Sequence, residues 1–200
     1  MRCDKCGEEV GFLHECSGPP AAVKAILQES PPVLRFAPLH YLKQAIAIAR
    51  FDEKAMLRTS LDNNAFLYGV PLWFIVNTPA VMDLAARQGF GFPMSIAFAI
   101  IALPIAFLSQ VAVWGVCHLA ARFILRGKGS LAAVIRVMLL GSIVAVFAII
   151  PVIGTLLAGL WGLAIMMIAF EVIHGIRRIH AFAISFVIGI VIRGFGFLLA

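Results

Sequence analysis

Residues 131–173 read LAAVIRVMLLGSIVAVFAIIPVIGTLLAGLWGLAIMMIAFEVI, with Arg136 and Glu171 as the only charges. As one α-helix these 43 residues would extend about 65 Å, roughly twice the hydrocarbon core of a bilayer. The stretch must therefore fold back on itself. Pro151 lacks a backbone donor and Gly154 tolerates a turn, so the reversal is expected there. The two arms, 131–150 and 154–173, are each long enough to cross a membrane. Basic residues Arg122, Arg126 and Lys128 precede this hairpin, and Glu171, His174, Arg177 and Arg178 close it.

The rest of the chain agrees with a bilayer as solvent. It is 62% hydrophobic and 13% charged, with a mean hydropathy of +1.01, against roughly half and a quarter for soluble domains. So much apolar surface cannot be hidden from water in 200 residues. The formal charge of +6 does not signal nucleic acid. Its basic residues sit at segment ends, where topology requires them, and no aromatic–basic surface for bases accompanies them. The first apolar span is expected to serve as the targeting signal, because the first 20 residues are polar.

Residues 1–18 hold Cys3, Cys6 and Cys16, while Cys117 stands alone in an apolar segment, a distribution unlike a disulfide framework. Cys3-x-x-Cys6-Gly7 has the form of a zinc knuckle, with two thiolates close enough to chelate and a glycine that lets backbone amides face the sulfurs. His14 and Cys16 are the candidates to complete a structural Cys₃His zinc site. Two other readings stand beside it: a reduced N-terminus in which cysteines cluster without metal, and zinc shared between two chains. Residues 19–38, with Pro19-Pro20, Pro31-Pro32 and Pro38, read as a linker.

Residues 39–60 are expected to contain an amphipathic helix. Leu39, Leu42, Ala45, Ile46, Ala49, Met56 and Leu57 share one face, interrupted by Glu53, with Lys43, Arg50, Lys54 and Arg58 on its flank. The pattern suits a helix in the headgroup region and equally one packed on the cytoplasmic side of the spans. Residues 61–200 then form a transmembrane domain with five spans, at about 65–84, 94–118, 131–150, 154–173 and 181–200. The expected fold class is an all-α, five-helix membrane bundle with a small metal-binding-like N-terminal segment. Lys and Arg between the spans number 14 on one side against 1 on the other. That asymmetry predicts a cytoplasmic N-terminus and an outward C-terminus, with Arg193 snorkelling from the last span.

Glu171 is the one acidic residue inside spans two to five, and intramembrane ionisable groups are functional candidates. His174 follows it by three residues on one helix face. His118 and Arg122, at the end of span two, are expected at the same level. A pocket of Glu171, His174, His118 and Arg122 could hold a headgroup, an ion or a proton. The alternative is an interfacial ion-pair cluster in which Arg177 or Arg178 partners Glu171. Arg126, Lys128, Arg136, Arg177 and Arg178 are candidate contacts for anionic lipid. Gly127 and Gly129 read as turning points rather than as a phosphate loop, since the Walker spacing is absent. A di-iron site would need a second Glu-x-x-His and two more glutamates, and a metalloprotease would need H-E-x-x-H. No serine–histidine arrangement is evident, so no enzyme is expected. The pairs Gly141/Ala145, Ala158/Gly162 and Ser185/Gly189 read as helix-packing faces, internal or between copies in a homo-oligomer.

The succession Gly127-Lys128-Gly129-Ser130, then Ile150-Pro151-Val152-Ile153-Gly154, then Trp161, then Glu171-Val172-Ile173-His174-Gly175 resembles prokaryotic members of the Yip family. These are relatives of the Ypt/Rab-interacting membrane proteins of the eukaryotic secretory pathway. The resemblance covers about residues 65–200. It implies a five-helix bundle with a cytoplasmic N-terminus in a prokaryotic cell membrane. It further implies a non-enzymatic role in membrane organisation, or in recruiting a membrane or cytoplasmic protein partner. The knuckle-like N-terminus is an addition to that core. The alternative function is a small transporter, channel or lipid-handling protein working through the Glu171/His174 cluster.

Overall fold

A computed structural model describes residues 37–150 and 153–198 of the chain. Among these residues every regular element is a helix. We number them α1 (Pro38–Ala49), α2 (Glu53–Leu61), α3 (Asn64–Arg87), α4 (Phe92–Phe123), α5 (Leu131–Gly141), α6 (Ile153–His174) and α7 (Arg178–Leu198). A 3₁₀ helix, Ser142–Ile149, continues α5. The expected zinc ligands Cys3, Cys6, His14 and Cys16, the linker through Phe36 and the turn residue Pro151 lie outside the described residues.

Four helical stretches are long and apolar enough to cross a membrane: Asn64–Arg87, Phe92–Phe123, Leu131–Ile149 and Ile153–His174. Their lengths follow from where charge stops. Asp83 and Arg87 stand at the far end of α3, and Arg122 stands near the end of α4. At 32 residues, α4 is about 48 Å long and outreaches a ~30 Å core by several turns. The hairpin expected in 131–173 forms. Gly141 of α5 packs on Ile165, and Gly154 of α6 lies against the Phe147 carbonyl, so α6 runs back along α5. The first arm is α-helical only as far as Gly141. Of the last helix, only Arg178–Gly189 counts as a described apolar stretch, shorter than a full span.

The amphipathic segment differs from expectation. Instead of one helix, 39–58 is broken at Arg50–Asp52, where Phe51 takes a left-handed conformation with φ 64°. The Asp52 carboxylate then caps α2, accepting from the Lys54 and Ala55 amides. α1 and α2 form an antiparallel hairpin: the Tyr41 hydroxyl donates to Asp62 at 2.7 Å, and Thr59 Oγ1 lies 3.4 Å from Gln44 Oε1. Burial, then the hydrogen bond to Asp62, push the Tyr41 phenol well above its ordinary pKa. The hairpin buries Tyr41, Ala45 and Ile48 from α1, and Ala55, Met56, Thr59 and Ser60 from α2. A single wheel for 39–58 mixes the faces of two helices. In consequence Leu39, Leu42 and Ile46 are exposed, whereas Ala45 and Met56 of the same expected face are buried.

The hairpin packs on α5 and α6. Phe51 stacks on Trp161, whose indole N–H donates to the Ala49 carbonyl at 2.7 Å, and Tyr41 stacks on Tyr68 of α3. Fully buried Ile48, Met56, Cys117, Leu139, Ile165 and Phe170 make this the centre of the core. We call it the loop end, because the segment 124–130 and the α6–α7 junction close it. The far end carries the α3–α4 turn at Gln88–Gly91, where Gly89 has φ 82°.

Candidate functional site

His118 of α4 and His174 of α6 meet at the loop end, with Nδ1 of His118 3.2 Å from Nε2 of His174. Both rings are buried, at 4% and 3% exposure. The Gly129 amide donates to Nδ1 of His174 at 3.2 Å, so that nitrogen is an acceptor. In the neutral pair this assigns the proton of His174 to Nε2, where it is donated to His118, and the proton of His118 to its own Nε2. Phe170 stacks on the His174 ring, one turn back along α6.

The chain reaches this geometry because 124–130 lies flat over the end of α6. Lys128 N donates to the His174 carbonyl at 3.3 Å, and Gly127 N donates to the Ala121 carbonyl at 3.0 Å. A Cβ on Gly127 would stand 2.7 Å from His174 Nδ1, and one on Gly129 would stand 2.7 Å from the Ile173 carbonyl oxygen. These glycines thus serve close approach, not turning as expected. The left-handed residue of the loop is Arg126, with φ 56°.

The four-residue pocket does not assemble as a unit. Glu171 pairs with Arg178 of α7, which also reaches Glu53 of α2. Glu171 and His174 are 300° apart in rotation, so they diverge by about 60° around the helix. That suffices to send the imidazole to α4 and the carboxylate to α7. The ion-pair alternative is the arrangement found. Arg122 is exposed one turn beyond His118. Among the candidate lipid contacts, Arg136 is not a free cation: its guanidinium donates to the Ser60 carbonyl at 2.8 Å and to Asn63. Arg178 is likewise engaged, whereas Arg126, Lys128 and Arg177 are exposed. Among the described residues no three of His, Cys, Asp and Glu are grouped to hold a metal ion. Cys117 is buried as a free thiol.

The feature sequence reasoning missed lies in the other half. All three small-x-x-x-small pairs (Gly141/Ala145, Ala158/Gly162 and Ser185/Gly189) line one cavity of about 990 Å³ between α3, α4, the α5–3₁₀ arm, α6 and α7. Only Gly141 has the tight contact expected of a packing face; a Cβ on Gly159, Gly162 or Gly189 would meet nothing within 4 Å. The signal was present, since six small residues on three helices mark faces without bulk. What stands opposite such a face is not written in it. No family model, curated protein or solved structure matches the chain.

Proposed function

We propose that this is a non-enzymatic, multi-pass membrane protein of the Yip type, organising membrane or recruiting a protein partner at its loop end. The observation that carries the reading is the α1–α2 hairpin. One side is fixed to the bundle by Trp161, Arg136 and Arg178. The other leaves Leu39, Leu42 and Ile46 exposed. A shallow groove of about 300 Å³, lined by Lys43, Ile46, Ala47, Arg50 and Asp52, runs beside them. Exposed apolar side chains rimmed by charge on a rigid support suit a docking surface.

In this reading α7 is the fifth span, 21 residues or about 31 Å long. The loop end faces the cytoplasm with the N-terminus, the C-terminus lies outside, and the membrane is that of a prokaryotic cell. Cys3, Cys6, His14 and Cys16 hold a structural zinc ion in a small N-terminal head. The alternative, transport or lipid handling through a Glu171–His174–His118–Arg122 pocket, loses support because Glu171 is engaged by Arg178.

In-cell crosslinking and mass spectrometry of the purified complex test the proposal. The native chain is compared with a full-length Leu42→Glu/Ile46→Glu variant. A near-stoichiometric protein partner that the variant loses is the expected result. Recovery of only lipid or self-adducts from both chains would refute it.

A further inference from the structure

The cavity has a built polarity. Along α3, Trp73, Asn77, Ala80, Asp83 and Arg87 line it at helical spacing, a face about 21 Å long and therefore longer than half of a ~30 Å core. Among the described residues, Asp83 and Arg87 are the charged ones that line it, and they neutralise each other in a 2.8 Å ion pair. Deeper in, the polar groups are neutral. Asn77 donates to the Trp73 carbonyl and keeps its amide oxygen for an acceptor role; Gln110 and Thr155 also line the wall. Ser185 is 7% exposed and lines the cavity; its hydroxyl oxygen has no hydrogen-bond partner and is itself closed off, so a ligand atom reaches it once the side chain rotates about χ1.

Buried hydroxyls ordinarily find partners, and an orphan in a membrane-embedded cavity is a place where a ligand atom would be rewarded. The remaining wall is apolar and smoothed by glycine and alanine, which fits a long hydrocarbon chain. An ionised group below Asp83 and Arg87 would find no counter-charge among the described lining residues. From this combination we infer that the cavity binds an uncharged long-chain lipid bearing a hydroxyl or carbonyl group, with its polar group hydrogen-bonded to Ser185 and its chain along the small-residue faces. Acylglycerols and long-chain alcohols share this chemistry. The site shares no lining residue with the groove on the hairpin, and it provides a basis for lipid handling that does not use Glu171.

The test uses the full chain reconstituted in phosphatidylcholine vesicles. The probes are a diacylglycerol with a diazirine in one acyl chain and a phosphatidylcholine carrying the same chain, for comparison. Photolabelling by the diacylglycerol is expected on peptides of α6 and α7. Ser185→Ala removes one buried hydrogen bond and is expected to weaken labelling up to about tenfold. Gly162→Leu fills open space and is expected to abolish it; should that variant fail to fold, Gly189→Leu serves, since its Cβ also meets nothing. Unfolding transitions followed by tryptophan fluorescence must match the native chain in each variant. Unchanged labelling after filling, equal labelling of the cavity by the phosphatidylcholine probe, or a drop in particle mass after Gly162→Leu, which would mean a second copy occupies the space, each overturns the inference.

Discussion

The two ends of the bundle use the same residue type for opposite purposes. At the loop end, Gly127 and Gly129 let backbone press onto His174 and Ile173, and the space is used completely. Around the cavity, Gly159, Gly162 and Gly189 face nothing, and the space is kept. The loop end is cross-linked by polar side chains and joined to α1–α2, with Phe123, Ile124 and Ile179 exposed around it. The cavity half likewise leaves large apolar residues such as Ile75, Ile100 and Leu156 exposed. Close packing stabilises only where elements interdigitate, so tight backbone contact and open space fall at different positions along the same helices.

The sharpest way to break this comparison is to add side chains to its glycines. Gly129→Val drives methyl groups into the Ile173 carbonyl, and a loss of about 3 kcal/mol is expected in denaturant unfolding in micelles. Gly162→Ala at the open face is expected to be neutral, or to gain up to about 1 kcal/mol from helix propensity. Equal effects at the two sites would remove the distinction.

A smaller change is expected from the histidine pair. His174→Phe keeps a ring against Phe170 but leaves the Gly129 amide and the His118 ring without their partner. A destabilisation of about 1–3 kcal/mol should follow, non-additive with His118→Phe in a double-mutant cycle. Additive losses would show that the rings do not act as one staple.

Glu171→Gln should do least. Its partner Arg178 is half exposed, and such pairs contribute little. Neither the unfolding transition nor the crosslinking pattern should move. A lost activity with intact folding would instead restore the Glu/His pocket.

How far the sequence foretold this structure depended on how local each cause was. The charge-free stretches set the spans, and the reversal inside 131–173 followed from length alone. The level of His118 and His174 was legible from their positions at span ends. The break at Phe51 had a usable sign, since Asp52-Glu53 is a helix start with a cap and an acidic first turn; the continuous apolar stripe obscured it. Partners far apart in the chain were not legible. Arg136 finds Ser60, 76 residues away, and Arg178 finds Glu53, 125 residues away, through tertiary packing that no local pattern encodes. The small-residue pairs marked faces but could not say whether a helix or a void lay opposite.

One measurement tests the division of labour most directly. A benzophenone amino acid is placed at Leu42 on the hairpin or at Phe186 on the cavity wall, and each full-length chain is photolysed in cells. A protein adduct is expected from position 42 and a lipid adduct from position 186. Lipid from both positions, or a protein partner from position 186 alone, would contradict that division.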